Sequence, residues 1–92
     1  MSVSGDFKAV KGYQSGVTAA AEDYLEMIYR NSEISGHMRI NFLAAKLNVP
    51  PAAAARMVQH LKELGLVEFE KYGLITMTAK GREFIRVNLS NR

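Results

Sequence analysis

One segment in the middle of the chain, residues 43–61, most constrains what it can fold into. Its apolar residues have the spacing of two short helices packed across a tight turn: Leu43, Leu47, Val49, Ala54 and Met57. Ala44 is small where the second helix must approach the first closely. Pro50 disfavours a helical conformation at Val49, and Pro51 suits the first turn of a helix. The segment predicts a helix-turn-helix, whose second helix typically enters the major groove of DNA.

Hydrophobic periodicity predicts the elements around this motif. Val67 and Phe69 alternate with acidic residues, as in a half-buried strand, and a second short strand follows a Lys71–Gly73 turn. The predicted elements are a helix capped by Thr18 and ended by Ser35-Gly36, helices Arg39–Leu47 and Ala52–Leu64, strands Leu66–Glu70 and Leu74–Met77, and a last helix capped by Thr78. In that last helix we expect Phe84, Ile85 and Leu89 to pack inward. The predicted fold is mainly α with a small β-hairpin: a winged helix-turn-helix with a three-helix core, a two-stranded wing and a C-terminal helix.

Composition sets the class of protein. The 92 residues suffice for one small domain, which we divide into an N-terminal arm, residues 1–17, and a winged domain, residues 18–92. The net charge of +3 suits a nucleic-acid partner without requiring one. The lack of cysteine excludes disulfides and zinc fingers. Because no signal peptide and no apolar run of roughly 20 residues occurs, we expect a cytoplasmic protein outside membranes.

The exposed side of the third helix is the main candidate for DNA contact. Arg56 can donate to guanine O6 and N7, and Gln59 can pair with adenine. The alanines can touch a thymine methyl and permit close approach, although they donate no hydrogen bond. The alternative is a helix-favouring alanine run beside an ordinary solvated arginine. The predicted groove-contacting residues are Pro51, Ala52, Ala53, Ala55, Arg56 and Gln59.

A second set of residues could hold the DNA backbone. Arg39 opens the second helix, and Lys71 and Tyr72 lie at the tip of the wing. Each alone would be an ordinary surface residue. Together with Arg56 they predict a basic track along a duplex.

Two carboxylates on the first helix could hold a metal ion. Asp23 and Glu26 have i, i+3 spacing, which lets them share a hard cation, although helix-end acids in solvent are the simpler interpretation. Neither His37 nor His60 stands at the sequence spacing of a pair of metal ligands. Since no Ser/His/Asp set, Cys/His pair, phosphate loop or carboxylate dyad occurs, we expect no enzymatic activity.

Several segments together resemble a known family. Thr18–Tyr29, Arg39–Ala44, Met57–Leu61 and Val67–Gly81 follow, in order and spacing, the iron- and manganese-dependent repressors of the diphtheria toxin repressor family. The manganese transport regulators are the most similar group, and the resemblance covers residues 18–92.

This resemblance implies a repressor whose Mn²⁺ or Fe²⁺ promotes binding of a dimer to operator DNA and so represses metal-uptake genes. It implies that Asp23 and Glu26 are metal ligands. The positions that it implies contact DNA are Ala52, Ala53, Ala55 and Arg56.

Three departures modify that expectation. The family usually has Ser or Thr at Ala52, Ala53 and Ala55, so phosphate and base contacts are fewer here. The family continues beyond the position of Arg92 into a helical domain for dimerisation and metal sensing, with a His and further Glu and His ligands. We therefore expect a chain that lacks this domain. Its N-terminal arm is also longer than in the best-known members.

Two functions remain open on this basis. The first is a sequence-specific DNA-binding transcription regulator. The alternative is a winged-helix protein-interaction module with weak or no DNA binding, which the alanine-rich face and low charge would permit. A homodimer would use the last helix or the arm, where Phe7, Val10 and Tyr13 are candidates.

Overall fold

The computed structural model describes residues 17–88 of the chain. Its helices are α1 (Ala19–Ser35), α2 (Ile40–Leu47), α3 (Pro51–Glu63) and α4 (Ala79–Asn88), and its strands are β1 (Met38–Arg39), β2 (Val67–Glu70) and β3 (Leu74–Met77). The predicted winged helix-turn-helix is confirmed, with β1 as an addition. No helix in this part of the chain is long and apolar enough to cross a membrane.

The ends of α1 follow local chemistry. The Thr18 hydroxyl accepts a hydrogen bond from the backbone N–H of Ala21 at 3.1 Å, as an N-cap does. Gly36 ends the helix in the left-handed conformation, with φ 88°, and its N–H donates to the Ser32 carbonyl at 2.7 Å. Both predicted ends are therefore confirmed.

The turn between α2 and α3 holds the helix-turn-helix together. Asn48 ends α2 in the left-handed conformation with φ 59°, which asparagine tolerates better than most residues. The Val49 N–H donates to the Ala44 carbonyl at 3.0 Å. The helix α3 begins at Pro51, one residue earlier than predicted. Proline is favoured at the first position of a helix, because its fixed φ is helical and the N–H that it lacks would have no partner within the helix.

A third strand joins the predicted wing hairpin. Met38 pairs with Ile75 and Arg39 pairs with Leu74, so the sheet has the order β1-β3-β2. The predicted start of α2 at Arg39 was therefore wrong by one residue, since the backbone of Arg39 is extended and the helix begins at Ile40. The hairpin itself pairs as expected, with Val67 opposite Met77.

The start of α4 is tied to the end of α3. The Thr78 hydroxyl accepts from the Gly81 N–H at 2.9 Å and donates to the Gly65 carbonyl at 2.7 Å. A Cβ at Gly81 would overlap the carbonyl oxygen of Leu66, so this position permits only glycine. On the inner side of α4, Ile85 is buried as predicted.

The remaining residues predicted for the inner side of α4 and the arm have separate outcomes. Phe84 is half-buried, while Leu89 lies outside the described residues. Val17, assigned above to the arm, packs in the core. The buried core is Val17, Ala21, Tyr24, Leu25, Ile28, Met38, Leu43, Ala44, Ala54, Val58, Leu61, Leu66, Val67, Ile75, Met77 and Ile85.

Candidate nucleic-acid interface

The helix α3 has two opposite faces. Ala54, Val58 and Leu61 are fully buried and anchor one face in the core. The opposite side carries the exposed residues Ala52, Arg56, Gln59 and Glu63, which recur three or four positions apart and therefore form one stripe. The structure thus brings Ala52, Arg56 and Gln59 onto a common solvent-exposed face, where sequence periodicity places them.

The first part of this stripe carries small apolar side chains. Pro51 is exposed, while Ala53 and Ala55 are half-buried on either side of Ala52. We call the set Pro51, Ala52, Ala53, Ala55, Arg56 and Gln59 the α3 face. Its N-terminal part offers methyl groups and a proline ring, and its hydrogen-bonding side chains begin at Arg56.

The charge along the exposed stripe changes from one end of α3 to the other. Arg56 lies in the N-terminal half, whose first turn has no acidic residue, and the positive end of the helix dipole also lies there. Glu63 lies eleven residues after Ala52, about 16 Å along the axis at 1.5 Å per residue. An anionic surface would therefore approach the N-terminal half of α3 more favourably than its C-terminal end.

The tip of the wing presents an aromatic ring in an unusual backbone conformation. Tyr72 is 91% exposed and has φ 69°. The left-handed region costs a non-glycine residue roughly 1–2 kcal/mol. Lys71 beside it is also exposed. Gly73 follows with φ 78°, and a Cβ there would lie 2.5 Å from Cγ2 of Ile40, so the tip is held closely against α2.

Strand pairing places Arg39 beside the wing. Arg39 is exposed and pairs with Leu74 from one side, while Glu70 pairs with Leu74 from the other side. Lys71 directly follows Glu70 in the chain. Arg39 and the wing tip are therefore brought to the same end of the sheet, a proximity that their separation in sequence does not reveal.

One exposed apolar surface has no signal in the sequence pattern. Ile34 is 85% exposed and Phe42 46% exposed, and both line a shallow cavity at the end of α1 with His37 and Arg39. The Lys46 ammonium lies 5.4 Å from the centroid of the Phe42 ring, within the range of a cation–π contact. Periodicity could not separate these apolar residues from core positions, since only tertiary packing leaves them uncovered.

A family model described as iron dependent repressor, N-terminal DNA binding domain, matches residues 16–75. This match covers the helix-turn-helix and nearly all of the wing. The chain belongs to this family. The resemblance noted in the sequence is thereby confirmed.

Named relatives of the chain are regulators of transcription. The HTH-type transcriptional regulator MntR of Oceanobacillus iheyensis is 36% identical over 66 residues, which cover 72% of this chain and 45% of that protein. The protein of the same name in Geobacillus kaustophilus is 38% identical over 66 residues, 72% of this chain and 47% of its own length. The Bacillus subtilis protein of this name is 36% identical over 72% of this chain and 46% of its length. The match thus covers a little under half of each relative, and these relatives are named as regulators of transcription.

The metal dependence in the family name directs attention to Asp23 and Glu26. Asp23 is exposed, and Glu26 is half-buried with its Oε2 accepting from the Arg30 guanidinium at 3.1 Å. Within residues 17–88 no three or more His, Cys, Asp or Glu side chains are grouped closely enough to hold a metal. Two carboxylates, one of them paired with an arginine, supply too few oxygens for a tight Mn²⁺ or Fe²⁺ site. Asp23 and Glu26 alone therefore do not form a site that fits Mn²⁺ or Fe²⁺.

Proposed function

We propose that this chain binds duplex DNA sequence-specifically as the DNA-binding part of a metal-dependent repressor of transcription. The observation that carries the proposal is the α3 face, exposed on a helix whose opposite side is locked into the core. The family model and the relatives named HTH-type transcriptional regulator support it. We expect such a regulator to act in the cytoplasm.

The base-specific contacts come from two side chains of α3. Arg56 is exposed one turn from the start of the helix, and its planar guanidinium suits a bidentate bond to guanine O6 and N7. Gln59 lies on the same stripe and suits adenine N6 and N7. Each good bidentate pair discriminates against a wrong base by about 1–3 kcal/mol.

The backbone contacts come from the end of the sheet. Arg39 and Lys71 supply positive charge for phosphates, and the exposed Tyr72 ring with its hydroxyl reaches the duplex beside α3. Because these contacts neutralise phosphates, they make binding salt-dependent while leaving sequence preference to the α3 face.

Metal dependence and dimerisation are the further parts of this proposal. Asp23 and Glu26 would serve Mn²⁺ or Fe²⁺ only together with ligands beyond residues 17–88. A homodimer would suit a two-fold symmetric operator. Its contacts would involve α4, where Val87 is 53% exposed beside half-buried Phe84, or the arm, whose Phe7, Val10 and Tyr13 lie outside the described residues.

Fluorescence anisotropy would test DNA binding directly. Labelled duplexes selected in vitro from a random-sequence pool would be titrated with the chain at about 50 mM and about 150 mM salt, with and without Mn²⁺. We expect a selected sequence to bind more tightly than a scrambled duplex, with affinity falling as salt rises. Tightening by Mn²⁺ would show that this chain completes a metal site itself.

An interaction module is the second candidate, because Ile34 and Phe42 form an exposed apolar surface and α3 carries a single arginine on its exposed stripe. NMR shift mapping separates the two functions. Shifts confined to α3 and the wing on adding duplex support DNA binding. Absence of binding to every duplex at low salt would overturn the proposal in favour of the interaction module.

A further inference from the structure

The end of α1 and the first half of α2 together display two large apolar side chains to solvent. Ile34 and Phe42 belong to different helices and line the same shallow cavity. Both are exposed, and Ile34 is almost entirely so. Large apolar side chains that share an exposed surface often mark a place where another molecule binds. We call Ile34, Phe42 and the cavity between them the α1–α2 surface.

The α1–α2 surface is held in place by the hydrogen bonds that follow the end of α1. Asn31 Nδ2 donates to the His37 carbonyl at 3.0 Å, and Ser35 Oγ donates to the same carbonyl at 3.1 Å. Met38, the next residue, is buried and pairs with Ile75 of the central strand. A surface that is ordered before binding loses little conformational entropy when a partner binds.

The charges beside the α1–α2 surface are positive. Arg39 lines the cavity and is exposed, and the Lys46 ammonium lies 5.4 Å from the centroid of the Phe42 ring. The described residues that line the cavity include no carboxylate, since Glu33 adjoins Ile34 in the chain without lining it. A complementary partner therefore brings an apolar side chain together with carboxylates.

A second copy of the chain does not offer this combination within the residues that the structure describes. Two α1–α2 surfaces facing each other would bring the cations of both copies together, which is unfavourable. Of the other large apolar side chains that are exposed, Val87 directly follows Arg86. At the wing tip, Lys71 stands between Glu70 and Tyr72. Neither side chain is accompanied by acidic residues alone.

The arm, residues 1–17, has the wrong charge for the α1–α2 surface. Asp6 is its one acidic residue, against Lys8 and Lys11. Its apolar residues would therefore bring more positive than negative charge toward Arg39 and Lys46. Charge complementarity favours a segment of a different protein.

We propose that the α1–α2 surface binds an acidic segment of another protein that carries one large apolar side chain. That side chain packs between Ile34 and Phe42, and the flanking carboxylates pair with Arg39 and Lys46. The inference goes beyond the proposed DNA binding, because Ile34, Phe42 and Lys46 lie outside both the α3 face and the wing. Arg39 is shared with that function and stays unchanged in the test.

Synthetic peptides test the chemistry of the partner. An isotope-labelled sample of the full chain would be titrated with a peptide in which leucine and phenylalanine are flanked by glutamates on both sides, and binding followed by NMR shifts. One control peptide has lysines in place of the glutamates, and another has serines in place of the leucine and phenylalanine. We expect the glutamate-flanked apolar peptide to shift residues around Ile34 and Phe42, and both controls to bind at least about fivefold more weakly.

Four variants assign the binding to this surface. Ile34→Ser should weaken binding of the glutamate-flanked peptide roughly tenfold, because it removes an apolar side chain that the peptide would cover. Lys46→Glu should weaken it roughly threefold, since exposed ion pairs contribute modestly. The matched controls are Val87→Ser and Lys80→Glu, which make the same changes at exposed positions of α4. Both should stay within about 1.5-fold of the parent, as expected for distant, independent sites.

Several results would overturn the proposal. They are equal binding of the lysine-flanked peptide, no shift with the glutamate-flanked peptide, and equal affinity in Ile34→Ser and Val87→Ser. Shifts at Ile34 and Phe42 that depend on the concentration of the chain alone would show that a second copy covers the surface instead. None of these results would alter binding of the chain to duplex DNA, which the anisotropy titration measures separately.

Discussion

The exposed faces of α1 and α3 differ although both helices anchor the same core. Along α1, four acidic side chains accompany one arginine, and that arginine pairs with Glu26. Along α3, the exposed stripe has methyl groups, an arginine and a glutamine before its only acid, Glu63. A phosphate backbone would be repelled by the first surface, whereas the second offers it a cation and little negative charge. The comparison shows that a modest overall charge of +3 says less about DNA binding than the distribution of charge between faces.

We expect the largest loss of DNA affinity when an acidic side chain, like those of α1, is introduced on the α3 face. Ala52→Glu places a carboxylate where the duplex would approach, and like charges brought together at an interface cost several kcal/mol. We expect DNA affinity to fall about 100-fold or more, measured by anisotropy. The fold should persist, because an acidic residue is favourable in the first turn of a helix.

The matched control for Ala52→Glu is Ala20→Glu. It changes the net charge by the same amount, at an exposed position of α1. Its affinity should remain within about twofold of the parent, since exposed charges far from the duplex are screened. Equal losses in both variants would show that total charge, rather than the α3 face, governs binding.

Removal of the arginine from each helix sharpens the comparison. Arg56→Ala should weaken binding to the selected duplex by about 1–3 kcal/mol, roughly 5-fold to 150-fold, and relax preference at one base pair. Arg30→Ala removes a cation that is paired with Glu26 on α1 and should leave affinity nearly unchanged. An unchanged affinity in Arg56→Ala would remove this residue from base recognition.

A smaller effect is expected at the wing. Lys71→Ala should weaken binding to all duplexes alike and lower the slope of log affinity against log salt by about one, as expected for one lost phosphate contact. Arg86→Ala serves as the control, because this exposed cation of α4 bonds to Glu83 and lowers the pKa of that carboxyl. A salt slope that is the same in Lys71→Ala and the parent would contradict a phosphate contact at the wing tip.

The last predictions concern the stability of the fold, through the threonines that start α1 and α4, and we expect no direct effect on DNA contact. Thr18 makes one capping bond, whereas the Thr78 hydroxyl both accepts from Gly81 and donates to Gly65 beyond the end of α3. Thr18→Ala should lower the free energy of unfolding by about 1 kcal/mol and Thr78→Ala by about 2 kcal/mol, measured by urea unfolding. A greater loss in Thr18→Ala would mean that the bond to Gly65 contributes little.

Much of the fold was predictable because its signals are local. Thr18 and Gly36 mark the ends of α1 within a few residues of the bonds they make. The strand β1 gave no such signal, since two residues have no detectable period and become a strand only by pairing with β3. The same long-range pairing explains why α2 begins at Ile40 instead of Arg39.

The residues of the candidate site can likewise be separated into those placed by local pattern and those placed by long-range pairing. The exposure of Ala52, Arg56 and Gln59 follows from helical periodicity within one element. The position of Arg39 at the wing end of the sheet depends on a partner strand about thirty-five residues later in the chain, and so could not be derived from local pattern. The exposure of Ile34 and Phe42 likewise depends on which surfaces other elements cover.

The sequence by itself determined the three-helix core, the turn between α2 and α3, the hairpin, and the methyl-lined α3 face, because capping, proline geometry and hydrophobic period act within a few residues. Only the tertiary structure decided the third strand and the placement of Arg39 beside the wing. These features arise from contacts between segments far apart in the chain, whose formation depends on the packed core rather than on any local preference.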